Sequence, residues 1–227
     1  MNKNIFIAGI DTNVGKTIIT GLIAKYIQSK NKTVITQKIA QTGCKGVSED
    51  IQKHRKIMGV ELFSEDVDKT TCPYVFDLPA SPHLSAALQG VEIDIDTINK
   101  STKTLNKKYE YVIIEGVGGV FVPLTRAYTT LDFLAENKYD VILVTTPKLG
   151  SINHTLMTID TLFRKNINIL GLVYNLIGEY DSRIKTDSKQ IFNEYLNKYG
   201  YKNNIIEIRE IKREYPLIND FEEFLNV

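Results

Sequence analysis

The segment Gly9-Ile-Asp-Thr-Asn-Val-Gly15-Lys16-Thr17 limits what this chain can fold into more than any other stretch. It follows a short apolar run, Asn4 to Ala8, and precedes a helix-patterned stretch, Lys16 to Lys30, which makes the order strand, glycine loop, helix. A loop in that setting turns its backbone N–H groups toward an anion at the helix N-terminus. The lysine then neutralises the β and γ phosphates of a nucleotide, and the threonine hydroxyl is a ligand for Mg²⁺. A plain glycine turn capped by Lys-Thr is the competing reading, and the flanking elements weigh against it. Five residues separate Gly9 from Gly15, one more than the usual four.

The rest of the chain alternates in the same way. Thr33 to Lys38 reads as a second strand and Ser48 to Met58 as a helix, with Ser48 as its N-cap and Asp50 in its first turn. Tyr111 to Glu115, Val141 to Thr146 and Ile167 to Tyr174 are continuous apolar runs, the mark of strands buried on both faces of a parallel sheet. Helical patterns cover His83 to Gln89 and Thr97 to Asn106, and return after Gly178. Glu65 to Pro82 carries three prolines and no period, and reads as an ordered functional loop. The expected fold is α/β: a doubly wound, mostly parallel sheet flanked by helices, of the P-loop nucleoside triphosphate hydrolase type. No linker interrupts the pattern, so 1–227 is read as a single domain.

Charge narrows the function. The 28 Lys plus Arg nearly balance 27 Asp plus Glu, which argues against a protein that binds nucleic acid by neutralising phosphates. No window reaches the roughly 20 apolar residues of a spanning helix, and no signal-peptide core is present, so neither membrane association nor export is expected. Cys44 and Cys72 have no metal-type spacing and read as unreactive small apolar residues in a reducing cytoplasm.

The phosphate loop resembles the form found in dethiobiotin synthetases, and four further segments agree in order along the chain. Lys38 followed by Thr42-Gly43 is similar to the family's Lys-Pro-x-x-Ser/Thr-Gly, with Ile39 in place of the proline. Pro79-Ala-Ser-Pro-His83 resembles its Ser-Pro-His element, Glu115-Gly-Val-Gly-Gly119 its Glu-Gly-Ala-Gly-Gly, and Lys148-Leu-Gly-Ser-Ile-Asn-His154 its Lys-Leu-Gly-x-Ile-Asn-His. The resemblance covers residues 1 to 176. It implies an ATP-dependent ligase that joins CO₂ or bicarbonate to 7,8-diaminopelargonate and closes a ureido ring in biotin synthesis. It also implies a homodimer with the site at the interface.

Magnesium takes hard oxygen ligands and keeps several waters, so Thr17, Asp50 and Glu115 with nucleotide phosphates would suffice; for Asp50 the resemblance decides, since a first-turn Asp is commonly just a dipole-compensating residue. The resemblance implies that Asn13, Val14, Gly15, Lys16, Thr17 and Ile18 hold the nucleotide, together with Gly116, Val117 and Gly118, and that Asn175 reads the base. Thr12, Lys16 and Lys38 are the implied catalytic groups, Lys38 touching the carbamate and γ-phosphate. Thr12, Thr42, Gly118 and Gly119 would face the diamine, while Leu149, Gly150 and Asn153 would serve the neighbouring subunit's site. Of the histidines, His54 reads as a solvated helix residue and His83 and His154 as loop holders without acid–base work. The lysine and glutamate alternation over Glu207 to Glu214 reads as a solvated face. The alternative function is a partition or site-positioning type switch ATPase, which typically carries an extra lysine early in the loop, where this chain has Ile10 and Asp11.

Overall fold

The computed structural model describes residues 3–209, 211 and 214–225. Its centre is a sheet of six parallel strands: β1 (Lys3–Gly9), β2 (Val34–Lys38), β5 (Tyr111–Gly119), β8 (Asp140–Thr145), β9 (Ile169–Asn175) and β10 (Ile205–Ile208). The order across the sheet is β10-β9-β8-β1-β5-β2, so the loop after β1 emerges near its middle. Phe6, Ile7, Ile113, Ile114, Ile142, Leu143, Leu172 and Val173 are all buried, as expected of strands covered on both faces by α/β crossovers. Two two-stranded sheets lie outside it, β3 (Gln41–Thr42) with β4 (Val75–Phe76), parallel, and β6 (Pro123–Thr125) with β7 (Tyr128–Thr129), antiparallel.

The flanking helices are α1 (Lys16–Ser29), α2 (Glu49–Met58), α3 (Ser64–Val67), α4 (Pro82–Leu88), α5 (Ile95–Leu105), α6 (Thr130–Asn137), α7 (Ser151–Arg164) and α8 (Ser182–Lys198). Ser48 caps α2 as expected, its hydroxyl accepting from the Ile51 N–H at 3.3 Å. α4 begins at Pro82, whose missing N–H costs nothing in a first turn.

Four expectations are corrected. Glu65 to Pro82 is not loop throughout, because it holds the end of α3 and the strand β4, whose Tyr74 carbonyl accepts from Gln41 N at 2.8 Å. The strand expected over Tyr111 to Glu115 runs on to Gly119 as β5, with Gly119 beside Gly9 across a register shift. The start of the supposed solvated stretch is β10, an edge strand with Ile206 and Ile208 buried; Glu210, Lys212 and Arg213 lie outside the described residues. Its alternation of half-buried Ile205 and Glu207 with buried Ile206 and Ile208 is that of a half-covered strand. The third long run also starts later than expected, at Ile169, because Asn166 takes φ 53° and Ile167 donates to Leu162 O to end α7.

α1 and α2 pack closely because Gly21 offers no side chain. A Cβ there would stand 2.7 Å from Ile57 Cδ1 and 2.9 Å from its Cβ. That contact sets how near α2, and with it Asp50, lies to the phosphate loop. Alanine is the better helix former by about 1 kcal/mol, yet overpacking a filled core costs about 1–3 kcal/mol. Gly21→Ala is therefore expected to lower the urea midpoint with an unchanged m-value; a raised midpoint would show that α2 has room to move.

Candidate functional site

The loop after β1 wraps over the N-terminus of α1. Gly15 caps the helix at φ 99°, a conformation that costs other residues energy. A Cβ on it would also strike the side-chain amide of Asn175 at the end of β9. Asn175 braces the loop, its amide donating to Val14 O at 2.9 Å while its Oδ1 accepts from Ile177 N at 3.1 Å. Lys16 folds back across the loop, and its Nζ donates to Asp11 O at 2.7 Å.

Behind the loop, four elements bring charge together. β2 and β5 pair in a register that sets Lys38 opposite Glu115. The Lys38 ammonium lies 2.8 Å from Glu115 Oε1, 2.7 Å from Asp50 Oδ2 and 3.0 Å from Gly116 O. The Thr17 hydroxyl reaches Asp50 Oδ1 at 2.9 Å and Glu115 Oε1 at 3.0 Å. Asp50 is delivered by the first turn of α2, which Gln41 anchors by accepting from Ser48 Oγ at 2.8 Å.

Burial would raise the Glu115 carboxyl, but the Lys38 charge and a hydrogen bond from His54 hold it well below the usual carboxylate range. Burial acts to lower Lys38, and the charges of Glu115 and Asp50 raise it above an ordinary lysine. Lys16 goes the other way. Burial and then the nearby Lys38 charge bring it down to about 8, against the pull of Glu115, Asp50 and Asp11.

These groups line a cavity of about 430 Å³. It gathers Thr12, Asn13, Gly15, Lys16, Thr17, Ile18, Lys38, Thr42, Asp50, Glu115, Val117 and Gly118, with Ala40 and Gln41, which sequence reasoning missed. Val14 and Gly116 contribute backbone beside it through their carbonyls. Gly119 instead borders an apolar cavity of about 370 Å³ with Phe121, Pro123, His154 and Met157. Leu149 lies in a smaller recess on the other side of Thr12 and Asn13, and is 97% exposed. Gly150 caps α7 and Asn153 faces solvent in its first turn, so this chain does not bring the 149–153 segment into its own charged cavity.

His54 is a correction. It is fully buried, not solvated, and its Nε2 lies 2.8 Å from Glu115 Oε2. The signal was its spacing, four residues after Asp50, which puts both on one face of α2.

The oxygens of Thr17, Asp50 and Glu115 form a hard donor set on which one hydroxyl proton serves two carboxylates, a composition that fits Mg²⁺. Among the described residues no three His, Cys, Asp or Glu side chains cluster as metal ligands, so the remaining positions would fall to phosphates and water.

The AAA domain family matches the chain over residues 3–211. The ATP-dependent dethiobiotin synthetase BioD 2 of Pasteurella multocida (strain Pm70) is 47% identical over 211 residues, which span 93% of this chain and 99% of the relative. The chain belongs to the ATP-dependent dethiobiotin synthetase family. A second such synthetase, BioD of Chlorobaculum tepidum (strain ATCC 49652 / DSM 12025 / NBRC 103806 / TLS), is 48% identical over 195 residues, 86% of this chain and 82% of its own length. Among solved structures, pNOB8 ParA bound to nonspecific DNA superposes with a TM-score of 0.57 over 96% of this chain and 88% of its own. A ParA family ATPase from Chlorobium tepidum TLS gives 0.54 over 93% and 85%. At 14% and 16% identity these two superpositions show a shared fold alone.

Asn175 has one amide N–H and one oxygen lone pair beyond those it spends on the loop. Asn175→Ala should therefore weaken every nucleoside triphosphate by loosening the loop, and weaken ATP more than CTP. Calorimetric titration with both nucleotides checks this, and equal losses would mean that the residue braces without reading the base.

Proposed function

We propose that this chain closes the ureido ring of dethiobiotin from 7,8-diaminopelargonate, CO₂ and ATP. The observation that carries it is the convergence of Lys16, Lys38, Thr17, Asp50 and Glu115 on one cavity in a chain of this family. One amine of the diamine takes up CO₂ as a carbamate. A carbamate oxygen attacks the γ-phosphorus and ADP leaves; the second amine then attacks the carbamoyl carbon and phosphate leaves.

Each step asks something of the site. Loop N–H groups and Lys16 hold the triphosphate. Thr17, Asp50 and Glu115 would hold the Mg²⁺ that accompanies ATP and offsets charge on its phosphates. Lys38, kept protonated by two carboxylates, presents a fixed positive charge where charge moves from the γ-phosphate to the leaving oxygen. Thr12 and Thr42 offer hydroxyls to the diamine and carbamate, and Gly118 and Gly119 offer close backbone. Binding both amines on one molecule makes the closure intramolecular.

The chain acts as a single domain in this reading, since one hydrophobic cluster runs from Ile5 to Leu225. A homodimer is supported by exposed Phe121 and Met157 at the apolar cavity and by exposed Leu149 at the smaller recess. The two buried free cysteines suit a reducing cytoplasm. The +1 net charge fits small-molecule chemistry better than the DNA binding of the ParA fold neighbour.

The direct test is incubation with MgATP, bicarbonate and the diamine, with dethiobiotin sought by mass. Lys38→Met should release phosphate about 100- to 1,000-fold more slowly in the presence of the diamine, with a near-normal MgATP dissociation constant. Normal turnover would make Lys38 a bystander.

If Asn153 serves the partner's site, Asn153→Ala and Lys16→Ala proteins should each be inactive and regain partial activity when mixed under conditions of subunit exchange. No recovery despite demonstrated exchange would place the whole site within one chain.

A further inference from the structure

His54 is a fully buried imidazole behind the charged cavity, and no step of the proposed reaction uses it. Its two ring nitrogens are both engaged, Nε2 with Glu115 Oε2 at 2.8 Å and Nδ1 with Thr36 Oγ1 at 2.9 Å. Chemistry sets the direction of the first bond. A carboxylate accepts only, so Nε2 carries the proton. Arg55 donates only, and its Nη1 lies 2.8 Å from Thr36 Oγ1, so that oxygen accepts from the guanidinium; toward Nδ1 it gives its hydroxyl proton to a neutral ring or accepts through its second lone pair from a charged one. Arg55 is in turn gripped by both oxygens of Asp66, Nε to Oδ2 and Nη2 to Oδ1, each at 2.8 Å. Asp66 also accepts from Thr71 Oγ1 and Phe63 N at 2.8 Å. Asp66, Arg55, Thr36 and His54 are all buried. Together they form one continuous chain of hydrogen bonds that ends on the second oxygen of Glu115.

The two oxygens of Glu115 are thereby separated in role. Oε1 is shared with Lys38 and Thr17 on the cavity side. Oε2 is taken by His54 and withdrawn from the cavity. A free carboxylate would rotate and offer either oxygen. Here a ring that cannot leave its slot fixes the rotation.

We propose that His54 is a positioning residue that orients Glu115 for the divalent cation bound with ATP, and that the chain from Asp66 through Arg55 and Thr36 holds it to that task. The proposal rests on the reading of Thr17, Asp50 and Glu115 as the cation's protein ligands. It assigns to an interior segment, residues 54–71, a share in metal binding that its distance from the phosphate loop in sequence would not suggest.

The test compares the affinity of a non-hydrolysable ATP analogue, adenylyl imidodiphosphate, with Mg²⁺ and with EDTA, by calorimetry. Three variants are used: His54→Leu, His54→Gln and Thr36→Val. Loss of an outer hydrogen-bond partner of a metal ligand commonly costs about 10–100-fold in metal affinity. His54→Leu should bind the analogue normally in EDTA and lose about tenfold of the Mg²⁺-dependent gain. His54→Gln should recover most of it, since its amide N–H reaches the place of Nε2. Thr36→Val should lose part. In turnover, His54→Leu should need more Mg²⁺ for half-maximal rate and approach the parental kcat at saturation.

An undiminished Mg²⁺-dependent gain in His54→Leu overturns the proposal, as does an equal loss in EDTA and Mg²⁺, which is the sign of a merely structural role. Equal loss in the Leu and Gln variants also counts against it, because the donated hydrogen bond would then not matter. Should His54 variants fail to fold, Thr36→Val decides alone, and an unaltered Mg²⁺ response there overturns the proposal. An unmodified protein that gains nothing from Mg²⁺ would overturn the cation reading too, an outcome distinct from a parent that responds and a His54→Leu variant that responds equally.

Discussion

The ammonium of Lys38 is held between the carboxylates of Asp50 and Glu115 at 2.7 and 2.8 Å, and the site depends on that arrangement. Taking such charges out of water costs several kcal/mol per ion and is tolerable when geometry and further hydrogen bonds are good. Here both conditions are met. Glu115 is 1% exposed and has Thr17, Lys38 and His54 around it. The arrangement demands the β2–β5 register, the nearness of α2 to α1 at Gly21 and the cap at Ser48 all at once. A register slip of one residue between β2 and β5 would point one charge out of the site and leave the other buried without its partner.

The same cluster accounts for the contrast between the two lysines. Lys38 faces carboxylates at contact distance and is stabilised as a cation. Lys16 is buried, has a backbone carbonyl as its nearest acceptor and feels the Lys38 charge, so its pKa falls to about 8. An anionic ligand is what Lys16 lacks in its own chain, and a triphosphate supplies it. One lysine is thus committed to the protein, and the other to what the protein binds.

Much of this was legible in the sequence. The phosphate loop declares itself by position, and the buried strands by their continuous apolar runs. The family resemblance carried Lys38, Asp50 and Glu115 to residues that the fold then brings together. What failed to show had physical reasons. Short strands such as β3 and β4 have too few residues for a period to register. β10 alternates half-buried and buried residues as an edge strand does, and with Glu207 on its more open face and charged residues after it the segment is easily mistaken for a solvated face. His54 looked solvated because its neighbours Lys53 and Lys56 are charged, although the helix turns them to other directions. The partners that bury it, Thr36 and Glu115, are 18 and 61 residues away, and no local pattern announces such a contact.

The pairing of β3 with β4 divides the cavity walls by how they are held. The nucleotide side is built on the six-stranded sheet, where opening means disrupting the core. Thr42 belongs to a two-residue strand whose segment, Gln41 to Cys44, is fastened to Tyr74, Phe76 and Leu78 by backbone bonds of 2.8 to 3.2 Å from Gln41, Gly43 and Cys44. Segments with few bonds and little buried surface open far below the cost of global unfolding. In the proposed reaction the wall that Thr42 forms would loosen and re-form while the nucleotide stays gripped, which would give a bulky ring product a way out that does not pass through the triphosphate.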